Sequence, residues 1–215
     1  SLYEALVSIT RVSMPWGTLT GIRPTKLVHD YQKEGLSNKE IIRKLEEEYL
    51  VSEEKIKLML AVAEKEKHIL EKNKDNEVSL YIGIPFCPTR CVYCSFTSYS
   101  LENKDHMVEA YLEALCKEID YVAKEKAGLP IRSIYIGGGT PTSIKEKQLE
   151  RLLRHIQLRF DTKNVEEYTL EAGRPDTITK EKLIIAKEFG VTRISINPQS
   201  MNQKTLEAIG RRHTA

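Results

Sequence analysis

The chain has 215 residues and a mass of 24.6 kDa, enough for one or two domains. Its 40% hydrophobic and 30% charged residues can bury a core, which excludes a mostly disordered or collagen-like chain. The net charge is +2 and evenly spread, with 13 basic and 13 acidic residues through Asp75 and 20 and 18 after it, so charge alone points to no nucleic-acid partner.

Residues 1–76 read as an N-terminal all-α accessory domain. The stretch from Trp16-Gly17-Thr18 to Gly21-Ile22-Arg23-Pro24 reads as loop, punctuated by glycines and a proline. Ser37 and Glu40 form a capping-box pattern, and Ile41, Ile42, Leu45 and Tyr49 follow on one helical face. Ser52 can cap the next helix, with Glu53 and Glu54 at its positive end and Ile56, Met59, Leu60 and Ala63 inward. The longest apolar run, Leu58 to Ala63, falls far short of the roughly 18 residues of a membrane helix. The first residues lack the continuous apolar stretch and cleavage site of a signal peptide. The expectation is a cytoplasmic protein with no membrane span. Lys72 to Glu77 is charged and polar, as a linker would be.

Residues 77–215 alternate strand and helix. Strands are expected over Leu80–Ile84, Ile131–Ile136, Tyr168–Glu171 and Arg193–Ile196. Helices are expected over Met107–Val122, Gln148–Leu158 and Lys182–Phe189, with a fourth starting at Thr205. Such alternation implies right-handed crossovers and a parallel sheet, whose functional groups lie just past the C-terminal strand ends. Four strands leave the last as an unprotected edge, and both chain ends look cut. Further strands and a substrate-covering domain are therefore expected beyond Ala215.

The unusual residues fall at those strand ends. Three of the four cysteines lie in Cys87-x3-Cys91-x2-Cys94, with Pro85 and Pro88 stiffening the loop. Clustered thiols in a reducing compartment suggest metal over disulfides. Three sulfurs on an iron–sulfur cube leave one iron open to a substrate or cofactor. A zinc site would need a fourth ligand, for which His106 and Cys116 are the nearest candidates. Cys116, at helical spacing from Leu112 and Ile119, reads better as a packed core thiol. Gly137-Gly138-Gly139-Thr140-Pro141-Thr142 follows the second strand and lacks the Lys of a P-loop. Triple glycine lets backbone approach a ligand closely, although a plain turn uses the same residues. A β-carbon there is expected to block a ligand while sparing the cysteines on another strand end. Glu171 ends the third strand and could bind an amine or ribose hydroxyl, or be a solvated charge. Gln199 follows the fourth strand, and Arg211 could pair with a carboxylate; each could equally be an ordinary surface group.

The cysteine spacing, with Tyr93 before the last cysteine, resembles the radical S-adenosylmethionine (SAM) superfamily. Tyr81-x5-Cys87, the triple-glycine segment, Glu171-x3-Pro175, Gln199-Ser200 and Gly210-Arg211-x-His213 narrow the resemblance to the oxygen-independent coproporphyrinogen III oxidases, or coproporphyrinogen dehydrogenases, and their relatives. The match covers Leu80 to Thr214. Trp16 to Lys26 is similar to the N-terminal extension of one branch of that family. The resemblance implies a partial (β/α)6 radical-SAM barrel, represented by its first four strand–helix units. It implies that Cys87, Cys91 and Cys94 hold a [4Fe–4S] cluster whose open iron binds S-adenosylmethionine. Tyr81, Tyr93, Gly138, Gly139, Thr140, Glu171, Gln199 and Arg211 match positions that contact S-adenosylmethionine or a second molecule of it. The implied reaction is oxidative decarboxylation of a porphyrinogen's propionates to vinyl groups, started by reductive cleavage of S-adenosylmethionine. The implied partners are that porphyrinogen and a low-potential, flavodoxin- or ferredoxin-like electron donor. Two positions depart from the well-studied oxidases, which have histidine where Gly83 stands and a fourth cysteine where Phe96 stands. The family's heme chaperones also lack that fourth cysteine, so heme carriage is the alternative, alongside a radical enzyme with another substrate.

Overall fold

The computed structural model describes residues 2–21 and 23–215; Ser1 and Ile22, the latter within the expected loop before Pro24, lie outside them. The chain divides into two compact units, Ser1–Lys74 and Asp75–Ala215.

The first unit holds α1 (Leu2–Thr10), α2 (Pro24–Lys33), α3 (Asn38–Glu47) and α4 (Glu53–Leu70). Glu40 donates its backbone N–H to Ser37 Oγ at 3.4 Å, and its carboxylate accepts the Ser37 N–H at 2.8 Å, completing the expected capping box. Ser52 caps α4 through the Lys55 N–H. Val28, Tyr31, Ile41, Leu45, Val51, Ile56, Met59 and Ala63 form one buried cluster, with Ile42, Tyr49 and Leu60 packed at its margin. Neither α1 nor α2 stands out in the sequence. In α1, Leu2, Leu6 and Ile9 share one helical face, yet all three are exposed and the helix buries none of its residues. α2 turns only Val28 and Tyr31 fully inward, too few to establish a period.

In the second unit, β1 (Val78–Ile84) leads into β2 (Phe86–Cys87) and β3 (Tyr99–Ser100), followed by α5 (Leu101–Lys104) and α6 (Val108–Glu125). Then come β4 (Ile131–Gly138), α7 (Glu146–Arg159), β5 (Glu167–Ala172), α8 (Lys180–Glu188), β6 (Arg193–Ile196) and α9 (Gln203–Ala208). The main sheet has the order β1-β4-β5-β6 with every pair parallel. Consecutive neighbours, each joined through a helix, make four strand–helix units of an α/β barrel wall, as the alternation predicted. The short parallel pair of β2 and β3 inside the cysteine loop was not foreseen.

Strand side chains alternate between two faces. Ile82, Ile84, Ile134, Ile136, Tyr168 and Leu170 are buried with Leu112, Ile119, Leu149, Leu152, Leu153 and Ile156 of α6 and α7. The opposite face carries Tyr81, Tyr135, Thr169 and Arg193, which share one row across the four strands. The register pairs Ile84 with Gly138, Ile136 with Leu170 and Ala172 with Ile196, so the C-terminal ends of all four strands lie along one edge. Among the described residues, no helix is long and apolar enough to cross a membrane.

Candidate functional site

A pocket opens at that edge. Its lining includes Cys87, Cys91 and Cys94, with Tyr93, Gly138, Gly139, Thr140, Glu171, Gln199 and Arg211. Of the residues that the family resemblance implies hold the cluster or contact S-adenosylmethionine, all but one therefore meet there. Tyr81 does not: its ring is 66% exposed on the sheet's open face. It stacks on Tyr135, with ring centroids 5.7 Å apart and planes 10° from parallel. Strand geometry explains the offset, because the three residue steps from Tyr81 to the end of β1 at Ile84 carry it roughly 10 Å back from the edge.

The cysteine loop is pinned from several sides. Tyr99 donates its N–H to Pro85 O at 2.7 Å, and Ser100 Oγ donates to Pro88 O at 3.2 Å. The Val92 N–H reaches Ile209 O at 3.2 Å, and Thr89 Oγ1 donates to Gly210 O at 3.2 Å. The loop is thus tied to the turn that carries Arg211. Thr140 Oγ1 lies 3.3 Å from Cys87 Sγ, Ser98 Oγ 3.8 Å from Cys94 Sγ, and Arg174 Nη1 3.8 Å from Cys91 Sγ. Burial pushes the Cys87 thiol up, and the Thr140 contact works against it. A metal must therefore displace a proton from Cys87 to bind it. Among the described residues, no three His, Cys, Asp or Glu side chains converge as a single-ion site would require. His106 is exposed on a 3₁₀ turn, and Cys116 is half-buried on α6, short of the fully packed core position expected of it.

The glycines act by backbone approach. Gly139 donates its N–H to Ile84 O at 2.8 Å, and Thr140 donates its N–H to Phe86 O at 2.8 Å. A β-carbon on Gly139 would lie 2.8 Å from Phe86 O and 3.1 Å from Cys87 Sγ. Gly138 has φ +109°, a conformation L side chains rarely adopt, and its β-carbon would meet the Ile84 backbone at 3.0 Å. A side chain at Gly139 would therefore disturb Cys87 itself. The expectation that it would spare the cysteines is corrected here, because the two strand ends touch.

Glu171 Oε1 accepts the Tyr135 hydroxyl at 2.7 Å. Burial, and then the Glu171 hydrogen bond, push the Tyr135 phenol up to about 12, so it stays a donor at neutral pH. Gln199 has φ +68°, which is uncommon for a residue with a side chain and places a strained backbone in the lining. Arg211 is buried; its Nη1 donates to Gly173 O at 2.8 Å and Asn197 O at 3.2 Å, and its Nη2 to Tyr93 Oη at 3.2 Å. Its Nε is buried without an acceptor.

Several residues in or behind the lining were not singled out from the sequence: Ser98, Gly173, Arg174, Asn197 and Lys182. Lys182 of α8 is buried, and its Nζ donates to Thr142 O at 2.8 Å and Thr177 O at 3.2 Å, joining the loops after β4 and β5. The place of Arg174 three residues after Glu171 was its only sequence signal.

A family model described as the Radical SAM superfamily matches residues 81–215. The chain is 44% identical over 211 residues to the oxygen-independent coproporphyrinogen-III oxidase-like protein HemZ of Bacillus subtilis, covering 95% of this chain and 42% of that one. It is 43% identical over 138 residues to the heme chaperone HemW of Bacillus subtilis, covering 63% of this chain and 35% of that one. The solved structure of Escherichia coli coproporphyrinogen III oxidase (HemN), a radical SAM enzyme, superposes with a TM-score of 0.58 at 28% identity, covering 64% of this chain and 31% of that one. The chain thus spans less than half the length of each of these relatives.

Proposed function

The chain belongs to the radical SAM superfamily, its cofactors are a [4Fe–4S] cluster and S-adenosylmethionine, and from that premise we propose that it catalyses the oxygen-independent oxidative decarboxylation of coproporphyrinogen III to protoporphyrinogen IX. One observation carries this reading. The similarity to the coproporphyrinogen-oxidase-like relative runs over 211 residues and so through both units, whereas the match to the heme chaperone covers 138. The free thiols suit a reducing, cytoplasmic setting.

In this reading Cys87, Cys91 and Cys94 hold the cluster. Their fit rests on the donor set: three thiols in one pinned loop, each with a hydrogen-bond donor at its sulfur. Gly138, Gly139 and Thr140 present backbone to S-adenosylmethionine, with Tyr93 and Gln199 beside it. Glu171 accepts from its amine or ribose hydroxyls, held in place by the Tyr135 hydroxyl. Arg211 braces Tyr93 and the ends of β5 and β6, and its unpaired Nε offers a further donor. Tyr81 acts from the open sheet face through its stack on Tyr135. The bound pair supplies one-electron, hydrogen-abstracting chemistry; the protein binds, orients and keeps out water. The electron comes from a low-potential, flavodoxin- or ferredoxin-like donor. Each reacting propionate loses a β-hydrogen, an electron and CO2, leaving a vinyl group.

Heme carriage is the second reading, and Gly83 favours it. A β-carbon there would meet nothing closer than Tyr81 at 3.9 Å, so packing does not demand glycine where the well-studied oxidases have histidine. Phe96, at the fourth-cysteine position, is 71% exposed in the pocket lining. The deciding experiment is an anaerobic assay of the reconstituted protein with coproporphyrinogen III, S-adenosylmethionine and a reductant. Vinyl product supports the decarboxylase; transfer of bound heme to an apo-acceptor without any vinyl product transfers the assignment to the chaperone.

Tyr135→Phe should weaken S-adenosylmethionine binding about tenfold at unchanged iron content, because one hydrogen bond to a carboxylate is lost. Calorimetric titration of the reconstituted variant measures this. An unchanged affinity would remove Glu171 from the binding set.

A further inference from the structure

The donors at the three sulfurs differ in kind. Thr140 and Ser98 bring neutral hydroxyls to Cys87 and Cys94, while Arg174 brings a permanent cation to Cys91. Arg174 is only 2% exposed. Its Nε and Nη2 each lie 3.0 Å from the Asp176 carboxylate, which braces one edge of the guanidinium. Nη1, on the other side, donates to Thr89 O at 3.3 Å and Thr89 Oγ1 at 3.1 Å and reaches Cys91 Sγ at 3.8 Å. The Asp176 side chain is 22% exposed against 3% for Arg174, so water screens the anion more than the cation. The charge left at the sulfur is therefore positive.

We infer that Arg174, braced by Asp176, sets the reduction potential of the cluster on Cys87, Cys91 and Cys94. The inference rests on the cluster assignment above and gives Arg174, which the structure places at a ligand sulfur, a role in tuning the cluster. Adding one electron makes the cluster more negative. A buried cation at one ligand sulfur stabilises the reduced state more than the oxidised one and raises the potential. No proton need move. The electron enters from a low-potential one-electron donor, and the higher potential brings the cluster within that donor's reach. Arg174 is thus a positioning and tuning residue. A purely structural role, tying Thr89 to the end of β5, would alter cluster loading or thermal stability but not the potential of the clusters that form.

The test is a dithionite redox titration of the anaerobically reconstituted full chain, followed by electron paramagnetic resonance of the reduced cluster. Arg174→Met should shift the one-electron equilibrium toward the oxidised cluster at least tenfold, about 59 mV more negative. Arg174→Lys, which keeps the charge, should recover most of that shift. Asp176→Asn leaves the cation uncompensated and should move the potential the opposite way. If Arg174→Met fails to hold a cluster, the sign of the Asp176→Asn shift decides. Unmoved potentials in loaded Arg174→Met and Asp176→Asn would overturn the inference and leave the cluster assignment standing. A wild-type chain that retains no iron and sulfide would overturn both.

Discussion

Cys91→Ala is expected to abolish retention of iron, sulfide and the cluster's visible absorption after anaerobic reconstitution, while Cys116→Ala loads as the wild type does. Cys91 sits in the pinned loop with Cys87 and Cys94, facing the pocket, and a three-thiolate cluster has no spare ligand. Cys116 is on α6, away from that lining, where its backbone carbonyl lies 3.2 Å from His155 Nε2. Burial pushes its thiol up, as suits an inert thiol. Equal loss of iron in both variants would move the cluster to a four-cysteine arrangement and overturn the three-cysteine site.

Gly139→Val should remove the cluster and S-adenosylmethionine binding together. The new β-carbon would lie within 2.8 Å of Phe86 O, 3.0 Å of Phe86 N and 3.1 Å of Cys87 Sγ, and two of those atoms are backbone. Rigid backbone cannot swing aside as a flexible side chain can, so β2 and Cys87 must shift. Overpacking of this kind costs about 1–3 kcal/mol or more, before any loss of metal ligation. Gly83→Ala is the matched control: its β-carbon meets nothing closer than 3.9 Å, so iron content should stay at the wild-type level. Iron, sulfide and melting temperature measured on the two variants separate the cases. A fully loaded Gly139→Val that still binds S-adenosylmethionine would return the triple glycine to a plain turn.

Much of this arrangement was legible because it depends on local order. The capping box at Ser37 and Glu40 and the cap at Ser52 are three-residue relationships, and the structure forms them as read. Strand–helix alternation dictates parallel pairing, and consecutive parallel strands put every C-terminal end on one edge. Residues after β4, β5 and β6 therefore had to meet those of the cysteine loop, whatever the details of packing. Glu171 and Gln199 line the pocket at that edge, whereas Tyr81, which only the family resemblance singled out, lies three positions back along β1.

What only the tertiary structure decided involves residues far apart in the chain. Nothing in Gly173-Arg174-Pro175 shows that the guanidinium is buried, or that it reaches Cys91 from 83 residues away. Nor does a triple glycine show that its third member abuts the Phe86 backbone, so that its missing side chain serves the cysteine loop as much as any ligand. Sequence pattern by itself determined the strand–helix alternation of the second unit's main sheet, the parallel α/β class, the three-thiol loop and the edge on which the site forms, since each follows from spacing along the chain. Which side chains touch across that edge depended on strand register and on close packing at the strand ends. Displacements of a few tenths of an ångström decide such contacts, and no periodicity encodes them.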